Sequence, residues 1–439
     1  MKSKWIIATI LVLAMVATCA GAVFAVWQGV QIVQASGFSF RTGSFHRLEA
    51  NATEQKKLLV DGPQRLTVEN GYGSVSVNTG AVNEVQLIIG KTAWGGTEDE
   101  AQKALDDIQV VVEQKTGEIR VWVKPVVEVS PFHIGPRGHQ VHFTITVPTE
   151  TSVDLSSANG DLALSGTRGD AVLSTGFGEV DVSDLTGALS ASTSTGKITV
   201  QNIQAGEAAI ALKTDFGDIE ARMLSAGEIA LESSNGNLVL EDADAQGALK
   251  MRSQFGWLKF HLLSGLSLEA DTANGKITGR DGQFSGAVNL SSNFGDLTLE
   301  KVQAGEISLK TQNGQIRAQS VAGKINAHSD YGDVEVTAEK AILTLSSNNG
   351  QVIFTGSLDE GDHTLNSNFG DIYLNLPADS ALTFDLKTDF GKIWSDFPVT
   401  LSGELDEKHW KGNINGGGSR LTVSTQNGNI RLQISKYKE

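Results

Sequence analysis

The chain has 439 residues, with 48 Gly, 7 Pro, 1 Cys and a formal net charge of −16. Abundant Gly with little Pro favours tight turns between strands over a disordered or collagen-like chain. The acidic charge, without a basic stripe, excludes the surface of a nucleic-acid binder, and the single Cys19 excludes an intramolecular disulfide.

Residues 1–27 carry the pattern of a membrane anchor. Lys2 and Lys4 precede an almost wholly apolar run of 22 residues, Trp5–Val26, which is long enough to cross a bilayer as a helix. Trp5 and Trp27 stand at its ends, where interfacial aromatic residues are expected. The pattern predicts a single-pass cell-membrane protein with its C-terminal bulk outside the cytoplasm.

Two alternatives to the anchor stay open. Cleavage after Ala22 or Ala25 would remove the segment as a signal peptide and release the protein. Lipidation at Cys19 would require Val16–Cys19 to act as a lipobox, in which Thr18 fits poorly before the cysteine.

Residues 28–55 are interpreted as a polar linker and residues 56–150 as a small β-rich entry domain with one helix. The helix is predicted over Glu98–Ile108, because Thr97 can cap it and Glu100 can reach back. Residues 125–138 combine Pro and Gly and indicate a loop. Strands are predicted at Arg65–Asn70, Ser74–Val77, Glu84–Ile89, Ile108–Glu113, Ile119–Lys124 and Val141–Val147.

Residues 151–439 repeat a short unit, which is the strongest signal in the sequence. Each unit has a glycine that follows Asn, Phe, Tyr or Thr, and the spacing between these glycines is 18 to 21 residues except for a last gap of 37. The charged and Gly-rich stretch Leu401–Gly418 lies in that gap and is one degenerate repeat or an excursion. The repeat glycines are Gly160, Gly178, Gly196, Gly217, Gly236, Gly256, Gly275, Gly295, Gly314, Gly332, Gly350, Gly370, Gly391 and Gly428.

Alignment on these glycines exposes a fixed pattern around each of them. The residue two after the glycine is always aliphatic, the residue five before is always apolar, and the residue seven before is apolar except at His363. The residue three before is always Ser or Thr. Alternation on both sides of a turn predicts two short strands per repeat, with one face inward. A single repeat cannot bury that face, so the repeats must stack.

The positions of the aspartates indicate how many residues make up one coil. A coil of two repeats would stack Asp296, Asp333 and Asp371 directly on one another, which is unfavourable. A coil of one repeat places Gln315 and Gln351 between them. We therefore predict an all-β fold: a single-stranded β-solenoid, a right-handed β-helix with one coil of about 19 residues per repeat, preceded by the entry domain and the transmembrane helix.

The repeats resemble the bacterial "putative adhesin" family, a domain of unknown function made of β-strand repeats, over residues 60–439. The resemblance is carried by Gly-Asp at Gly160-Asp161, Gly217-Asp218, Gly295-Asp296, Gly332-Asp333 and Gly370-Asp371, by the closing Gly416-Gly417-Gly418, and by Ile145–Pro148 before the first repeat. It implies a role in cell-surface adhesion.

Three features are candidates for binding chemistry. The Gly-Asp carboxylates could bind calcium, but turn chemistry is the favoured interpretation, because each turn offers few of the oxygen ligands that calcium needs. His133, His139 and His142 could bind a metal, although solvated loop histidines are favoured. Aromatic residues before the glycines could form an exposed binding ridge, although packing at the solenoid edge is favoured. They are Phe177, Phe216, Phe255, Phe294, Tyr331, Phe369 and Phe390.

The function expected from the sequence is surface interaction without catalysis or a cofactor. The nearest cluster of charged residues surrounds Lys250, Arg252, Trp257 and Lys259, and no carboxylate pair is evident there at the offsets that acid–base catalysis needs. The predicted partners are the membrane, through the N-terminal helix, and a cell-wall polymer or surface protein. The alternatives are an envelope regulatory or stress-sensing component that acts through a membrane partner, and a polysaccharide-acting β-helix enzyme.

Overall fold

The computed structural model describes residues 48–80, 83–125, 138–403 and 406–435, and within them the protein is an all-β solenoid with one helix. The N-terminal strands and the helix α1 are β1 Leu48–Leu59, β2 Gln64–Tyr72, β3 Val75–Thr79, β4 Glu84–Gly95, α1 Glu98–Asp106, β5 Val110–Lys115, β6 Glu118–Val123 and β7 Gly138–Val147. The strands of the repeats up to Ser292 are β8 Thr151–Asn159, β9 Leu162–Ser165, β10 Ala171–Phe177, β11 Val180–Thr186, β12 Leu189–Thr195, β13 Ile198–Gln204, β14 Ala209–Phe216, β15 Ile219–Ala226, β16 Glu228–Asn235, β17 Leu238–Phe255, β18 Leu258–Asn274, β19 Ile277–Phe284 and β20 Ala287–Ser292. The remaining strands are β21 Leu297–Thr311, β22 Ile316–Ser329, β23 Val334–Ser347, β24 Val352–Leu358, β25 Asp362–Ser367, β26 Ile372–Leu376, β27 Leu382–Thr388, β28 Ile393–Ser395, β29 Val399–Leu401, β30 His409–Ile414, β31 Ser419–Thr425 and β32 Ile430–Ile434.

The repeats form two columns of parallel strands, one on each side of the glycine turn. In the first column β10 pairs with β8 and β12, and in the second β11 pairs with β9 and β13. Leu173 lies opposite Leu155 and Ala191, one repeat away in each direction. The prediction of one coil per repeat is therefore confirmed.

The repeat glycines stack on one another so closely that no side chain fits. A Cβ atom on Gly314 would lie 2.0 Å from the carbonyl oxygen of Gly295, which is far inside van der Waals contact. Equivalent contacts link every repeat glycine to the glycine below it. Gly160 lies in the same way on the carbonyl oxygen of Gly73, a glycine that the repeat alignment missed. We call these fifteen residues the glycine column. Close approach of the backbones, more than a left-handed φ, fixes the residue type here.

The aliphatic positions of the repeat point inward, as predicted. Leu162, Ile219 and Leu297, each two residues after a column glycine, are fully or almost fully buried, as are Leu155 and Leu345, five residues before one. These side chains belong to a single apolar core that runs the length of the described solenoid. Its continuity confirms that each turn covers the one beneath it.

The buried hydroxyls form a ladder along the glycine column. Each Ser or Thr three residues before a column glycine donates a hydrogen bond to the carbonyl oxygen of the glycine in the adjacent rung, as in Thr311 Oγ1 to Gly295 O at 3.0 Å and Ser253 Oγ to Gly236 O at 2.8 Å. The turn backbone thus satisfies these buried hydroxyls. All fourteen take part: Ser157, Thr175, Thr193, Thr214, Ser233, Ser253, Thr272, Ser292, Thr311, Ser329, Ser347, Ser367, Thr388 and Thr425.

A second corner, which the alignment on the repeat glycines does not reveal, bends most turns six residues after the column glycine. Gly166 and Gly356 occupy two of these positions, and eight others hold non-glycine residues with φ between 53° and 56°, among them the bulky Met223 and Leu262. The left-handed conformation costs such residues roughly 1–2 kcal/mol each. Stacking of successive turns in register holds this corner against the local preference.

The columns continue on the N-terminal side of Thr151, where the sequence pattern places the start of the solenoid. Strands β2 and β3 pair in parallel with β8 and β9, and β6 and β7 pair in parallel with β2 and β3 on the other side. Strands β6 and β7 therefore form the outermost rung of the stack, β2 and β3 form the second, and β8 and β9 form the third. The order of the rungs in space differs from the order of the strands in the chain. Antiparallel pairing of β5 with β6, β4 with β7 and β1 with β4 covers this end.

The C-terminal end contains a similar insertion. The rung of β31 and β32 lies between the rung of β25 and β26 and the rung of β27 and β28, so that Gly428 stacks on Gly370 and Gly391 stacks on Gly428. The stretch Leu401–Gly418 is an excursion: β30 pairs antiparallel with β27, and β29 pairs antiparallel with β30. Both ends of the solenoid are therefore closed by antiparallel strands.

Two local predictions have different outcomes. The helix ends at Asp106, and its cap is confirmed because Thr97 Oγ1 accepts a hydrogen bond from the backbone N–H of Glu100 at 3.2 Å. The linker over residues 28–55 needs correction, because β1 begins at Leu48. This strand has no buried face, so it lacks the alternation of buried and exposed residues by which strands are predicted from sequence. Its pairing with β4 makes it a strand.

The predicted anchor, residues 1–27, with its cleavage and lipidation alternatives, lies outside the described residues. Within the residues that are described, no helix has the length and apolar character needed to span a membrane. The handedness of the solenoid stays a prediction.

Gly314→Ala should destabilise the protein by about 3 kcal/mol, because the new Cβ would overlap the Gly295 carbonyl oxygen and force two rungs apart. The measurement is the midpoint of urea unfolding. Gly71→Ala is the matched control, since a Cβ atom there meets nothing within 4 Å. Equal midpoints for the two variants would contradict the close-packed column.

Thr311→Val keeps the shape of the side chain and removes the hydroxyl that bonds Gly295. We expect a loss of roughly 1–3 kcal/mol of unfolding free energy, because a buried carbonyl loses one of its partners. Thr311→Ser should retain most of the stability, since serine fills this position in other rungs. A stable valine variant would show that the ladder is incidental to packing.

Candidate interaction surface

One row of side chains follows the glycine column along the outside of the solenoid. It consists of the residue before each column glycine, and we call these fifteen residues the ridge. In spatial order along the stack, the ridge is Tyr72, Asn159, Phe177, Thr195, Phe216, Asn235, Phe255, Asn274, Phe294, Asn313, Tyr331, Asn349, Phe369, Asn427 and Phe390. Aromatic and small polar residues alternate without exception.

The alternation follows space, not sequence. Along the chain Phe369 and Phe390 are consecutive members, but the inserted C-terminal rung places Asn427 between them. At the other end Tyr72 lies opposite Asn159, although 87 residues separate the two in the sequence. Aromatic residues on the ridge are therefore always two rungs apart, about 9.6 Å.

The ridge aromatics are exposed to solvent. The eight side chains have relative exposures between 54% for Tyr72 and 79% for Phe390. The interpretation of these residues as packing at the solenoid edge is therefore wrong. They form an exposed ridge, and its role in binding stays a prediction. The hydroxyl two residues earlier is the last inward position of the strand, and the chain then turns the corner, so the ridge side chain leaves the core.

A groove of about 950 Å³ opens at the N-terminal end of the ridge. Tyr72 and Phe177 line it from the ridge, and Trp94 and His139 line it from β4 and β7. The His139 ring meets the Tyr72 ring edge-on, with 6.3 Å between the centroids. Burial lowers the pKa of His139, so its imidazole favours the neutral form. The ridge thus leads into an aromatic-lined groove.

The histidine cluster does not come together as a metal site in the described residues. His142 Nδ1 accepts a hydrogen bond from the Ser74 backbone N–H at 3.2 Å and lies 2.8 Å from Ser74 Oγ, while His139 contacts Tyr72. His133 lies outside the part of the chain that the structure describes. Among the described residues, no group of three or more His, Cys, Asp or Glu side chains is arranged to hold a metal ion.

The Gly-Asp carboxylates link one rung to the next. In each case Oδ1 accepts a hydrogen bond from the backbone N–H of the equivalent residue one rung on, as in Asp296 from Gln315 at 2.8 Å and Asp333 from Gln351 at 2.8 Å. Asp161, Asp218 and Asp371 bond in the same way. None of these five aspartates has a left-handed φ. Their turn role is thus a capping of backbone donors, and calcium binding gains no support from it.

A carboxylate pair that the sequence pattern did not indicate lies near the ridge. Glu269 and Asp271 share the outer face of β18, and Arg252 from the next rung contacts both, at 2.6 Å and 3.7 Å. The hydrogen bond from Arg252 holds the pKa of Glu269 below its usual range, whereas burial raises the pKa of Asp271.

This pair does not fit glycoside hydrolysis. Hydrolysis needs two carboxyl groups roughly 5–9.5 Å apart, with the sugar or a water between them. Here Arg252 contacts both carboxyl groups, and Asp271 also accepts a hydrogen bond from Ser291 Oγ at 2.6 Å, so both groups are already engaged by protein side chains. The Arg252 cluster lines an open groove of about 500 Å³ with Asp215 and Glu232. It is better described as an ion-pair network across the outer face of neighbouring rungs.

Comparison with protein families gives one match that covers most of the chain. The Toastrack DUF4097 model matches residues 64–283 and 265–433. The chain belongs to the Toastrack DUF4097 family. The resemblance to an adhesin-like family of unknown function is thereby confirmed.

Two solved structures are similar to this Toastrack chain. One, from Bacteroides fragilis NCTC 9343, is titled a "putative adhesin"; it is 14% identical, with 63% of this chain and 97% of that chain covered and a TM-score of 0.25. The other, from Clostridium sporogenes ATCC 15579, is titled a "putative cell adhesion protein"; it is 8% identical, with 87% and 99% covered and a TM-score of 0.16. No protein with a curated description matches the chain.

Asp371 supports a prediction about acid stability in this Toastrack solenoid. Burial alone would raise its pKa, but hydrogen bonds from the Asn429 backbone and side chain and from Tyr373, together with the charge of Arg431, lower the pKa overall. The stability this gives is present above the unfolded-state pKa of about 3.9 and is lost as pH falls through the lower folded-state value.

The stability of the Asp371→Asn variant should therefore decrease less steeply than that of the natural protein as pH falls below about 4. The measurement is the unfolding midpoint across a pH series. Asparagine keeps the acceptor oxygen, as Asn429 shows by accepting from the Lys392 N–H at 3.1 Å. Tyr373→Phe should show a smaller effect in the same direction, and parallel pH curves for all three proteins would contradict the assignment.

Proposed function

We propose that the protein is an extracytoplasmic surface-interaction module, adhesin-like and without catalysis, which binds its partner along the ridge. The observation that carries this proposal is the exposure of eight aromatic side chains in one evenly spaced row. Exposed apolar stripes on soluble proteins mark interaction sites far more often than chance surface. Aromatic residues are also the side chains that contribute most to binding energy at interfaces.

The solenoid gives the ridge the geometry of a rigid template. Fourteen intervals of about 4.8 Å make a row roughly 65 Å long. Backbone hydrogen bonds, the glycine column and the hydroxyl ladder fix each ridge residue relative to the next. Binding of a partner along it would cost little free energy for ordering the protein.

Location is the second part of the proposal. The segment Trp5–Val26, preceded by Lys2 and Lys4, supports attachment to the cell membrane with the solenoid on the outer side. Cleavage of the segment would give a secreted form with the same ridge. In either case the partner would be a component of the cell envelope or of another surface.

Loss of three ridge rings tests the function. We expect joint replacement of Phe216, Phe255 and Phe294 by alanine to reduce the attachment of cells that display the protein by about an order of magnitude or more. The reason is that each ring that a partner buries contributes on the order of 1 kcal/mol. Attachment in a flow chamber is the measurement. The unfolding midpoint should not change, since the three rings are 59%, 55% and 59% exposed.

A matched control removes the same kind of surface elsewhere. Ile88, Val172 and Leu266 are also exposed apolar side chains, at 43%, 45% and 51%, but they lie off the ridge. Their joint replacement by alanine should leave attachment unchanged. If both triple variants attach as well as the natural protein, the ridge is not the binding surface.

A further inference from the structure

We infer that the ridge binds a neutral β-1,4-linked glycan, one aromatic ring for each disaccharide of the polymer. This inference rests on the proposed function and names the class of partner for the same surface. It depends on three properties of the ridge: its period, the chemistry of the residues between the rings, and its charge.

The period matches such a glycan. In a β-1,4-linked chain each sugar is turned over relative to its neighbour, so the same apolar face recurs at every second sugar. That repeat is a little longer than two strand spacings, about 9.6 Å, which is the separation of neighbouring ridge aromatics. A short stretch of the polymer therefore stays in phase with two or three neighbouring rings. A glycan of four to six sugars can therefore contact two or three of the eight rings at once, whereas a polymer with a much shorter repeat cannot.

An extended peptide does not share this period. Its side chains return to the same face every two residues, about 6.6–6.8 Å, so they lose phase with the ridge within two rings. A polyproline helix returns every three residues, about 9.3 Å, and is the closer competitor. It is recognised in grooves between aromatic side chains, however, while the ridge offers single rings on an outward corner.

The residues between the rings suit a sugar. Six of the seven are asparagine and the seventh is Thr195, and all seven are exposed. An asparagine amide both donates and accepts hydrogen bonds, as a row of sugar hydroxyls requires. A polyproline backbone offers acceptors only and would use half of that capacity. Rings for the apolar sugar faces and amides for the hydroxyls therefore alternate with the period of the polymer.

Charge selects against anionic polymers. None of the ridge residues is charged, although the chain carries a formal net charge of −16. The residues one position earlier include Asp215, Asp330 and Asp389 and no Lys or Arg. On the other flank, directly after the column glycines, five Asp and one Glu outnumber three Lys. A phosphate-bearing polymer would therefore meet a net negative charge along both flanks, whereas a neutral glycan would not be repelled.

The first test is direct binding of defined oligosaccharides to the purified full-length protein. The probes are N-acetylglucosamine and glucose oligomers, β-1,4-linked, of two, four and six sugars, measured by isothermal titration. We expect affinity to rise at least about tenfold between two and six sugars, as second and third rings are engaged. An α-1,4-linked glucose hexamer, which curls, should bind at least about tenfold more weakly than its β-1,4 counterpart.

The second test changes the period and nothing else. Phe255→Asn combined with Asn274→Phe preserves composition and charge but moves one ring by one rung. Binding of the β-1,4 hexamers should fall roughly tenfold, which is the loss expected when one ring no longer meets its sugar. Phe255→Trp, which keeps a ring in place, should bind at least as tightly as the natural protein. Unchanged binding by the register variant would overturn the inference.

The outcomes separate this inference from the proposed function. If a polyproline peptide binds the ridge and the glycans do not, the partner class is wrong and the surface is right. If neither the glycans nor the peptide binds, while the alanine variant of the three rings still loses attachment, the glycan is again excluded and surface interaction stands. If attachment survives loss of the rings, both fail. Release of shorter sugars from the probes would contradict the absence of catalysis.

Discussion

The fold depends on one contact that recurs in every turn: a glycine lies directly on the carbonyl oxygen of the glycine one rung below. The contact leaves no room for a Cβ atom, with gaps of about 2 Å between the position of a Cβ and that oxygen. The same oxygen accepts the buried hydroxyl from the rung above. Glycine and hydroxyl are therefore two parts of one constraint, since the close approach brings the oxygen within reach and the hydroxyl compensates its burial. Neither residue type could change alone.

This constraint explains why the solenoid was predictable from the sequence and its ends were not. Gly314, Thr311 and Ile316 keep the same offsets in every repeat, so the turn, the inward hydroxyl and the core position follow from alignment. The spatial order of the rungs at the two ends does not follow from alignment, because Gly428 has the same local pattern wherever it stacks and Gly73 departs from the pattern at Asn70. Pairing of β31 between two earlier rungs depends on contacts that are distant in sequence. The strand β1 was missed for a related reason: it has no burial pattern of its own, and only its pairing with β4 makes it a strand.

Local preference also failed at the second corner. Met223 and Leu262 would avoid a left-handed φ in isolation, and no turn residue marks their positions. The next residue in each turn, such as Leu224 and Leu263, is buried in the core. Burial of a large aliphatic side chain contributes about 1.5–3 kcal/mol, which matches or exceeds the strain of the corner. Burial of the next residue therefore determines the conformation of the corner, and tertiary stacking overrides the sequence preference.

The ridge could be predicted in composition but not in exposure or order. Phe177 and Phe216 stand before a glycine, and alignment alone does not tell whether another segment covers them. Among the segments that the structure describes, none covers them completely, and Asn427 completes the alternation from a rung that the chain reaches last. A row of bare aromatic rings on a rigid edge would invite self-association. An asparagine or threonine between every two rings keeps the apolar surface discontinuous, and closure of both ends by antiparallel strands removes the open edges through which solenoids could join end to end. The protein can thus expose rings where the backbone is most tightly fixed, which is the arrangement that recognition of a periodic partner requires.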